Sequence, residues 1–312
     1  MKRLEILNFK SPNRAPLKVE GFLFGEDSEG PSVAIVGAMS GDHINQLYVA
    51  SRLVDFLRQK EEEGKIIGKI LVIPAVNTYA LNMGETFWPL DKTDINMMFP
   101  GYAQGETTQR IAGKLFESLQ GYTYGIILEG RRDQGMCLPY VKLIQSGYED
   151  MDTAKDLGMR FIHHRRHSPI ETVMLQYNWQ LWETKALSVV FGKNGTIDQS
   201  SSSEVQGALV RFMSKRGILN LPLFDGFQSN IIEPDNITVL KASRAGIFDS
   251  AVLCGTTIEK GDTLGRITDA LSGEKLEKII SPIDGVVTCQ YAHPLIFQNS
   301  IAFRIASVAS KE

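Results

Sequence analysis

The stretch that decides the fold of this 312-residue chain reads Val33-Ala34-Ile35-Val36-Gly37-Ala38-Met39-Ser40-Gly41-Asp42-His43-Ile44-Asn45. It begins with an uninterrupted apolar run, passes through a turn of small residues, and continues into a segment with helical periodicity. A short apolar run bounded by glycine is typical of a buried strand, and a Ser-Gly-Asp sequence is typical of a turn. The stretch therefore predicts a strand, a tight turn and a helix.

The same alternation continues beyond this stretch. Buried strands are predicted at 33–37, 69–75, 125–128 and 187–191, because each is apolar and bounded by glycine, proline or charge. Amphipathic helices are predicted at 44–60, 107–119 and 202–216, the last with a capping box at Ser201 and Glu204 and a stop at Gly217. This order predicts an α/β fold, with a mixed twisted sheet and helices on both faces.

The pattern changes after Pro222. Between residues 237 and 306 no segment has helical periodicity, and short β-branched runs are separated by turns such as Lys260-Gly261-Asp262. We therefore predict an α/β domain at 1–222 and a small all-β domain at 236–312. The second domain resembles the flattened barrel-sandwich of lipoyl and biotinyl carrier domains, although it lacks the lysine tripeptide to which the cofactor is attached.

Composition excludes several classes of function. Hydrophobic residues make up 43% of the chain, charged residues 22%, and the formal net charge is -3. Without a basic stripe, nucleic acid is not the expected partner. No apolar run approaches the ~18 residues of a membrane span, and no signal peptide is recognisable, so we expect a cytoplasmic protein without a membrane partner. A small-molecule ligand is the expected partner, and a homo-oligomer stays open.

The cysteines are Cys137, Cys254 and Cys289. They are odd in number, widely spaced, and include no C-x-x-C pair. Such a set is typical of reduced, buried thiols in a cytoplasmic protein. We therefore predict neither a disulfide nor a zinc knuckle.

Several stretches resemble, in order and spacing, the motifs of the succinylglutamate desuccinylase and aspartoacylase family, relatives of the zinc carboxypeptidases. The 37–45 turn is similar to the family's G-x-x-H-G-D-E-x-N. The family's N-P-x-A, G-x-R and D-L-N-R-x-F-P-G are matched by Asn77-Thr78-Tyr79-Ala80, Gly84-Glu85-Thr86 and Asp94-Ile95-Asn96-Met97-Met98-Phe99-Pro100-Gly101. This resemblance implies a zinc carboxypeptidase-like α/β domain capped by the barrel-sandwich domain.

The resemblance also implies a zinc site whose ligands are a His, a Glu and a second His. In this chain those positions hold Ser40, His43 and Glu129. In one interpretation, His43 and Glu129 still bind a metal, with Ser40 or water completing the shell. In the other, His43 and Glu129 hydrogen bond to each other and fill the space of the metal. Because a tight zinc site needs three strong donors, the substitutions argue against zinc as a cofactor.

The positions that the family uses for catalysis and substrate binding are also changed. Val190 stands at the general-base position, and it cannot exchange a proton. Thr86 and Met97 replace two arginines that would contact the substrate, while Asn96 is kept. Arg131 and Arg132 follow a predicted strand end, where they either bind an anionic group in place of those arginines or form a solvated surface pair.

Two functions follow from these residues. In the first, the protein is a family member with a degenerate zinc site, inactive or much altered, that binds a small anionic or acylated ligand. In the alternative, it is a metal-dependent hydrolase of an amide or ester bond that uses the rearranged ligands His43 and Glu129.

Overall fold

The computed structural model describes residues 1–10, 15–131, 135–222 and 224–307. These residues form two compact units. The first comprises Met1–Gly130 and Pro139–Ser229, and the second comprises Arg131–Leu138 and Asn230–Glu312. No feature of the sequence had indicated that a segment as short as 131–138 would belong to the second unit.

The strands alternate with helices in the first unit and follow one another in the second. In chain order the strands are β1 (Lys2–Phe9), β2 (Leu17–Phe24), β3 (Ser32–Ala38), β4 (Lys69–Ala75), β5 (Tyr124–Arg131), β6 (Gly135–Cys137), β7 (Tyr140–Gln145), β8 (Phe161–Arg166), β9 (Lys185–Lys193), β10 (Asn230–Ile232), β11 (Ile237–Lys241), β12 (Gly246–Ser250), β13 (Thr257–Ile258), β14 (Thr263–Thr268), β15 (Lys275–Ile280), β16 (Gly285–Tyr291), β17 (Leu295–Ile296) and β18 (Ile301–Ala306).

The helices are α1 (Ile44–Glu62), α2 (Thr78–Met83), α3 (Thr107–Ser118), α4 (Met151–Asp156), α5 (Leu175–Leu181) and α6 (Gln199–Lys215). Short 3-10 turns occupy Ile95–Met97, Pro169–Val173 and Pro234–Asn236. Among the residues described, no helix combines the length and the apolar character needed to span a membrane.

The sheet of the first unit has the strand order β1-β2-β4-β3-β5-β9-β7-β8. β3 runs parallel to β4 and β5, whereas β2 pairs with β4, and β7 with β9, in antiparallel fashion. Alternate residues of β3 enter two different cores: Val33 packs with the α1 residue Leu53, and Ala34 packs with the α3 residue Leu115. The predicted mixed sheet with helices on both faces is therefore confirmed.

The start of α6 differs from the prediction. The helix begins at Gln199, and the Asp198 side chain caps it by accepting a hydrogen bond from the Ser200 backbone N–H at 3.1 Å. The predicted capping box at Ser201 and Glu204 was therefore wrong. Ser202 is instead buried, and its hydroxyl donates to Asn45 Oδ1 of α1 at 2.7 Å. The hydroxyl of Ser202 therefore stabilises the contact between α6 and α1 and does not cap a helix.

The second unit consists of two antiparallel sheets. One has the strand order β11-β18-β16-β13, with β6 also paired to β16, and the other has the order β15-β14-β12-β17. Their inward residues form one core that includes Phe248, Leu264, Val287 and Phe303. Apart from the 3-10 turn at Pro234–Asn236, the described part of this unit contains no helix. The predicted all-β character is confirmed.

Two of the cysteines form a disulfide, which corrects the prediction of three reduced thiols. β6 pairs with β16 in a register that sets Cys137 opposite Cys289, and their sulfurs are bonded. The two residues are 152 positions apart in the chain, so only the strand pairing brings them together. Cys254 is the free cysteine, and its thiol contacts the Met136 carbonyl oxygen at 2.9 Å.

Candidate functional site

The turn after β3 is fixed by close backbone packing. A Cβ added at Gly41 would lie 2.3 Å from the Glu85 carbonyl oxygen and 2.5 Å from the Ala80 carbonyl carbon, so only glycine fits. The Gly41 N–H also donates to the Thr86 carbonyl oxygen at 3.1 Å. This packing holds Ser40 and His43 in place, and they are only 2% and 5% exposed.

Asp42 connects this turn to two other segments. Its Oδ2 accepts hydrogen bonds from the Thr86 hydroxyl and from the Asn194 side-chain amide, both at 3.0 Å. Thr86 was predicted to contact the substrate. Its hydroxyl supports the turn through Asp42. Next to it in the chain, His43 begins α1 as its N-cap residue.

Glu129 lies near the end of β5, and its carboxylate forms an ion pair with Lys142 of β7. The Lys142 side chain is 7% exposed and that of Glu129 is 26% exposed, so the contact is largely sheltered from water. Lys142 was not among the predicted site residues. Its position could have indicated a role, because a lone lysine in the apolar strand Tyr140–Gln145 is rarely buried without a partner of opposite charge.

The carboxyl group of Glu129 has a pKa below its ordinary value. Burial alone would raise this pKa, because it disfavours the charged form. The charge and hydrogen bond of the Lys142 ammonium, together with His43 and the Ser188 hydroxyl, outweigh burial and lower the pKa. The ion-pair partner of Glu129 is Lys142.

A buried polar network surrounds Lys142. Lys142 and Ser188 are opposite each other in the β7–β9 pairing. The Ser188 hydroxyl donates to Gln176 Oε1 at 2.8 Å, and Gln176 Nε2 donates to the Lys142 carbonyl oxygen at 3.0 Å. Ser188 and Gln176 are 1% and 2% exposed. Such a satisfied network fixes the strand that carries the lysine.

Val190, at the general-base position of the family motif, is 3% exposed and pairs with Tyr140 across the sheet. Its isopropyl group neither accepts nor donates a proton.

The other proposed substrate contacts are dispersed. Asn96 Oδ1 accepts a hydrogen bond from the Leu175 backbone N–H at 3.2 Å, which ties the 3-10 turn Ile95–Met97 to the start of α5. Met97 is half-buried in that turn. Arg131 is the first residue of the second unit, and Arg132 lies outside the described residues. Asn96 therefore supports the fold, whatever else it contacts.

Buried acceptors lie around Gly130. A Cβ built on Gly130 would be 2.2 Å from Asn194 Oδ1, 2.9 Å from His43 Cδ2 and 3.1 Å from Gln46 Oε1. Within the described chain, Asn194 Oδ1, Gln46 Oε1 and Asp42 Oδ1 are buried and accept no hydrogen bond. Buried acceptors normally have a donor, so these three oxygens are unusual among the buried polar atoms of the site.

The residues of this site do not fit the zinc ion that the family motif implies. A zinc site needs a cluster of strong donors, and the parts of the chain that the structure covers contain no group of three His, Cys, Asp or Glu side chains suited to a metal. Glu129 is already paired with the Lys142 ammonium, which would repel a dication. The side chains of this site therefore lack the zinc-binding donors that the surrounding motif implies.

Comparisons with known proteins agree on the ancestry of the chain. Residues 29–214 match the family model described as the succinylglutamate desuccinylase/aspartoacylase catalytic domain. An N-alpha-acetyl-L-2,4-diaminobutyric acid deacetylase of Halomonas elongata is 22% identical over 259 residues, which cover 77% of this chain and 71% of the deacetylase.

Solved structures show the same fold. A succinylglutamate desuccinylase from a Silicibacter species superposes with a TM-score of 0.80 at 16% identity, covering 98% of this chain and 94% of the other. The product-bound ectoine utilization protein EutE (DoeB) from Ruegeria pomeroyi superposes with a TM-score of 0.77 at 16% identity, covering 97% and 94%.

Proposed function

The chain belongs to the succinylglutamate desuccinylase/aspartoacylase family, and we propose that it is a member that has kept the family's pocket but replaced its zinc chemistry. In this proposal the protein binds a small anionic or acylated ligand and does not hydrolyse it by the family's ordinary route. Fold alone does not establish an activity, so the proposal depends on the residues at the site.

The observation that carries the proposal is the ion pair between Lys142 and Glu129. Glu129 stands where the motif places a zinc-binding histidine, and its negative charge is already neutralised by an internal ammonium group. A zinc ion would have to separate this pair and leave Lys142 buried without its partner, which is energetically costly. A second argument comes from Val190. It stands at the general-base position of the motif, and its side chain cannot activate a water molecule.

The ligand class is supported by the buried acceptors near Gly130. The amide N–H of an acylated amino compound is a suitable donor for Gln46 Oε1, Asn194 Oδ1 or Asp42 Oδ1. The name of the Halomonas elongata relative also refers to an N-acetylated amino acid. We therefore propose N-acylated amino acids as the first compounds to test.

Zinc binding tests the loss of metal chemistry. The purified protein would be dialysed against zinc chloride and its metal content measured beside that of His43→Ala. We expect the two proteins to retain equally little zinc. Stoichiometric zinc in the unmodified protein that is lost in His43→Ala would contradict the proposal and favour the alternative hydrolase that uses His43 and Glu129.

Ligand binding and turnover form the second test. Calorimetric titration with N-acetyl-L-2,4-diaminobutyrate and N-acetyl-L-aspartate would measure binding, and an acetate assay on the same samples would measure hydrolysis. We expect binding of an N-acetylated compound without acetate release. Acetate release that His43→Ala abolishes would sink the proposal, and failure of both compounds to bind would remove these two compounds from the proposed ligands.

A further inference from the structure

We propose that a second cavity in the first unit, distinct from the site around His43, binds aromatic carboxylates. The cavity measures about 1150 Å³ and is bordered by β1, β2, α2, the segment around Trp88 and the start of α3. None of its described lining residues is shared with the 40–43 turn, Glu129 or Lys142. The inference therefore goes beyond the proposed function and does not depend on it.

The charged side chains that line this cavity favour an anion. They are Lys10, Lys18 and Arg110, and the described lining contains no acidic residue. Lys18 is neutralised by Glu5 at 2.8 Å, whereas Arg110 forms no ion pair within the described residues. The Arg110 guanidinium lies 4.6 Å from the centre of the Phe9 ring. A guanidinium held on an aromatic face still offers its N–H groups to a carboxylate.

The cavity is also lined by aromatic side chains, which include Phe9, Tyr79 and Trp88. Tyr79 packs edge-on against Trp88 with ring centres 5.5 Å apart. These rings give the cavity an apolar wall that suits an aromatic or broad apolar ligand.

These features together select one chemical class. The Arg110 guanidinium suits a carboxylate, and the rings of Phe9, Tyr79 and Trp88 suit an aromatic or broad apolar body. A ligand with only charge would leave the rings unused, and a neutral aromatic ligand would leave Arg110 without an anionic partner. The geometry therefore favours an aromatic ring that carries a carboxylate.

Matched probes test the assignment. Binding of 1-naphthaleneacetate and of the neutral alcohol 1-naphthaleneethanol would be measured by calorimetry at constant salt. We expect the carboxylate to bind at least about tenfold more tightly than the alcohol, because a charged hydrogen bond contributes that much. Arg110→Met should weaken binding of the carboxylate about tenfold and leave binding of the alcohol within about twofold.

A control on the same helix separates this effect from a general loss of positive charge. Lys114 is exposed, pairs with Glu117 and does not line the cavity, so Lys114→Met should leave both affinities unchanged. Equal affinities for the two probes, no binding of either probe, or equal effects of Arg110→Met and Lys114→Met would overturn the proposal. His43 does not line the cavity, so His43→Ala should not change the binding of naphthaleneacetate. This test is therefore independent of the zinc-binding test.

Discussion

The ion pair between Glu129 and Lys142 spans the strand that lies between them in the sheet. Glu129 is on β5 and Lys142 is on β7, with β9 between these two strands. Ser188 of β9 lies opposite Lys142. The pair therefore ties β5 to β7 across the strand between them.

Removing the ammonium should destabilise the first unit. Lys142→Met leaves the Glu129 carboxylate largely buried without its partner, and we expect a loss of about 3 kcal/mol in the free energy of unfolding at pH 7. This estimate is at the low end for a buried pair, because the Glu129 side chain keeps 26% exposure. Urea-induced unfolding followed by circular dichroism would measure the change.

Two controls show whether the loss comes from the unpaired charge. The double variant Lys142→Met with Glu129→Met removes both charges and should recover much of the lost stability. The pair between Asp150 and Lys185, whose side chain is 45% exposed, provides a comparison on the same unit, and Lys185→Met should cost less than about 1 kcal/mol. Equal losses for Lys142→Met and Lys185→Met would show that the buried pair contributes no more than a surface pair.

The pH dependence of stability should change sign when Lys142 is removed. In the native protein the Glu129 pKa is below its unfolded value of about 4.3, so its stabilising contribution is complete above that pH and is lost as the pH falls through the folded pKa. In Lys142→Met, burial acts without the ammonium and should raise the pKa, so protonation should stabilise that variant as the pH falls.

Unfolding free energies measured from about pH 7 to about pH 3, each compared with that of Glu129→Gln, isolate the contribution of this carboxyl group. We expect opposite slopes for the unmodified protein and Lys142→Met after that subtraction. Parallel slopes would mean that Lys142 does not control the Glu129 pKa.

The disulfide predicts a specific thiol count. The chain has three cysteines, and Cys137 and Cys289 are paired, so denaturation without reductant should expose a single titratable thiol, that of Cys254. Prior reduction should raise the count to three. Cys254→Ser should give zero before reduction. A count of three without reductant would restore the original prediction of reduced thiols, which is the usual state in a cytoplasm.

The native Cys254 thiol should also react slowly. Burial raises its pKa to about 11, so little thiolate is present at neutral pH. We expect the rate of iodoacetamide alkylation to rise with pH beyond the range in which free cysteine has already reached its plateau. A plateau near pH 9 in the folded protein would contradict this environment.

The sequence predicted the frame of the fold because its signals are local. The apolar run of β3, the periodicity of α1 and the left-handed Gly217, with φ of 67°, depend on neighbouring residues and appear in the structure as expected. The family motif located Ser40 and His43 at the end of a buried strand for the same reason.

The partners of the missed ion pair and of the missed disulfide are distant in the chain. Lys142 meets Glu129 only after β9 has paired with β7, and Cys137 meets Cys289 only because residues 131–138 join the second unit. The serines before Val205 resembled a helix start because serine favours caps, whereas Ser202 is used by Asn45 of another helix. Pairing across a sheet is a tertiary property that one sequence does not display.

Gly130 should be harder to replace than a glycine whose surroundings are open. An added methyl group would lie 2.2 Å from Asn194 Oδ1 and 2.9 Å from the His43 ring, so both side chains would have to move. We expect Gly130→Ala to cost about 1–3 kcal/mol in unfolding free energy and to weaken binding of any ligand held by the buried acceptors.

Gly207 is the matched control for this prediction. It lies in the middle of α6, and a Cβ built on it has no neighbour within 4 Å, so Gly207→Ala should stabilise the protein by about 0.5–1 kcal/mol through helix propensity. Urea unfolding of both variants would therefore give changes of opposite sign. If Gly130→Ala changed neither the unfolding free energy nor the ligand affinity, Asn194 and His43 would have to move apart without cost.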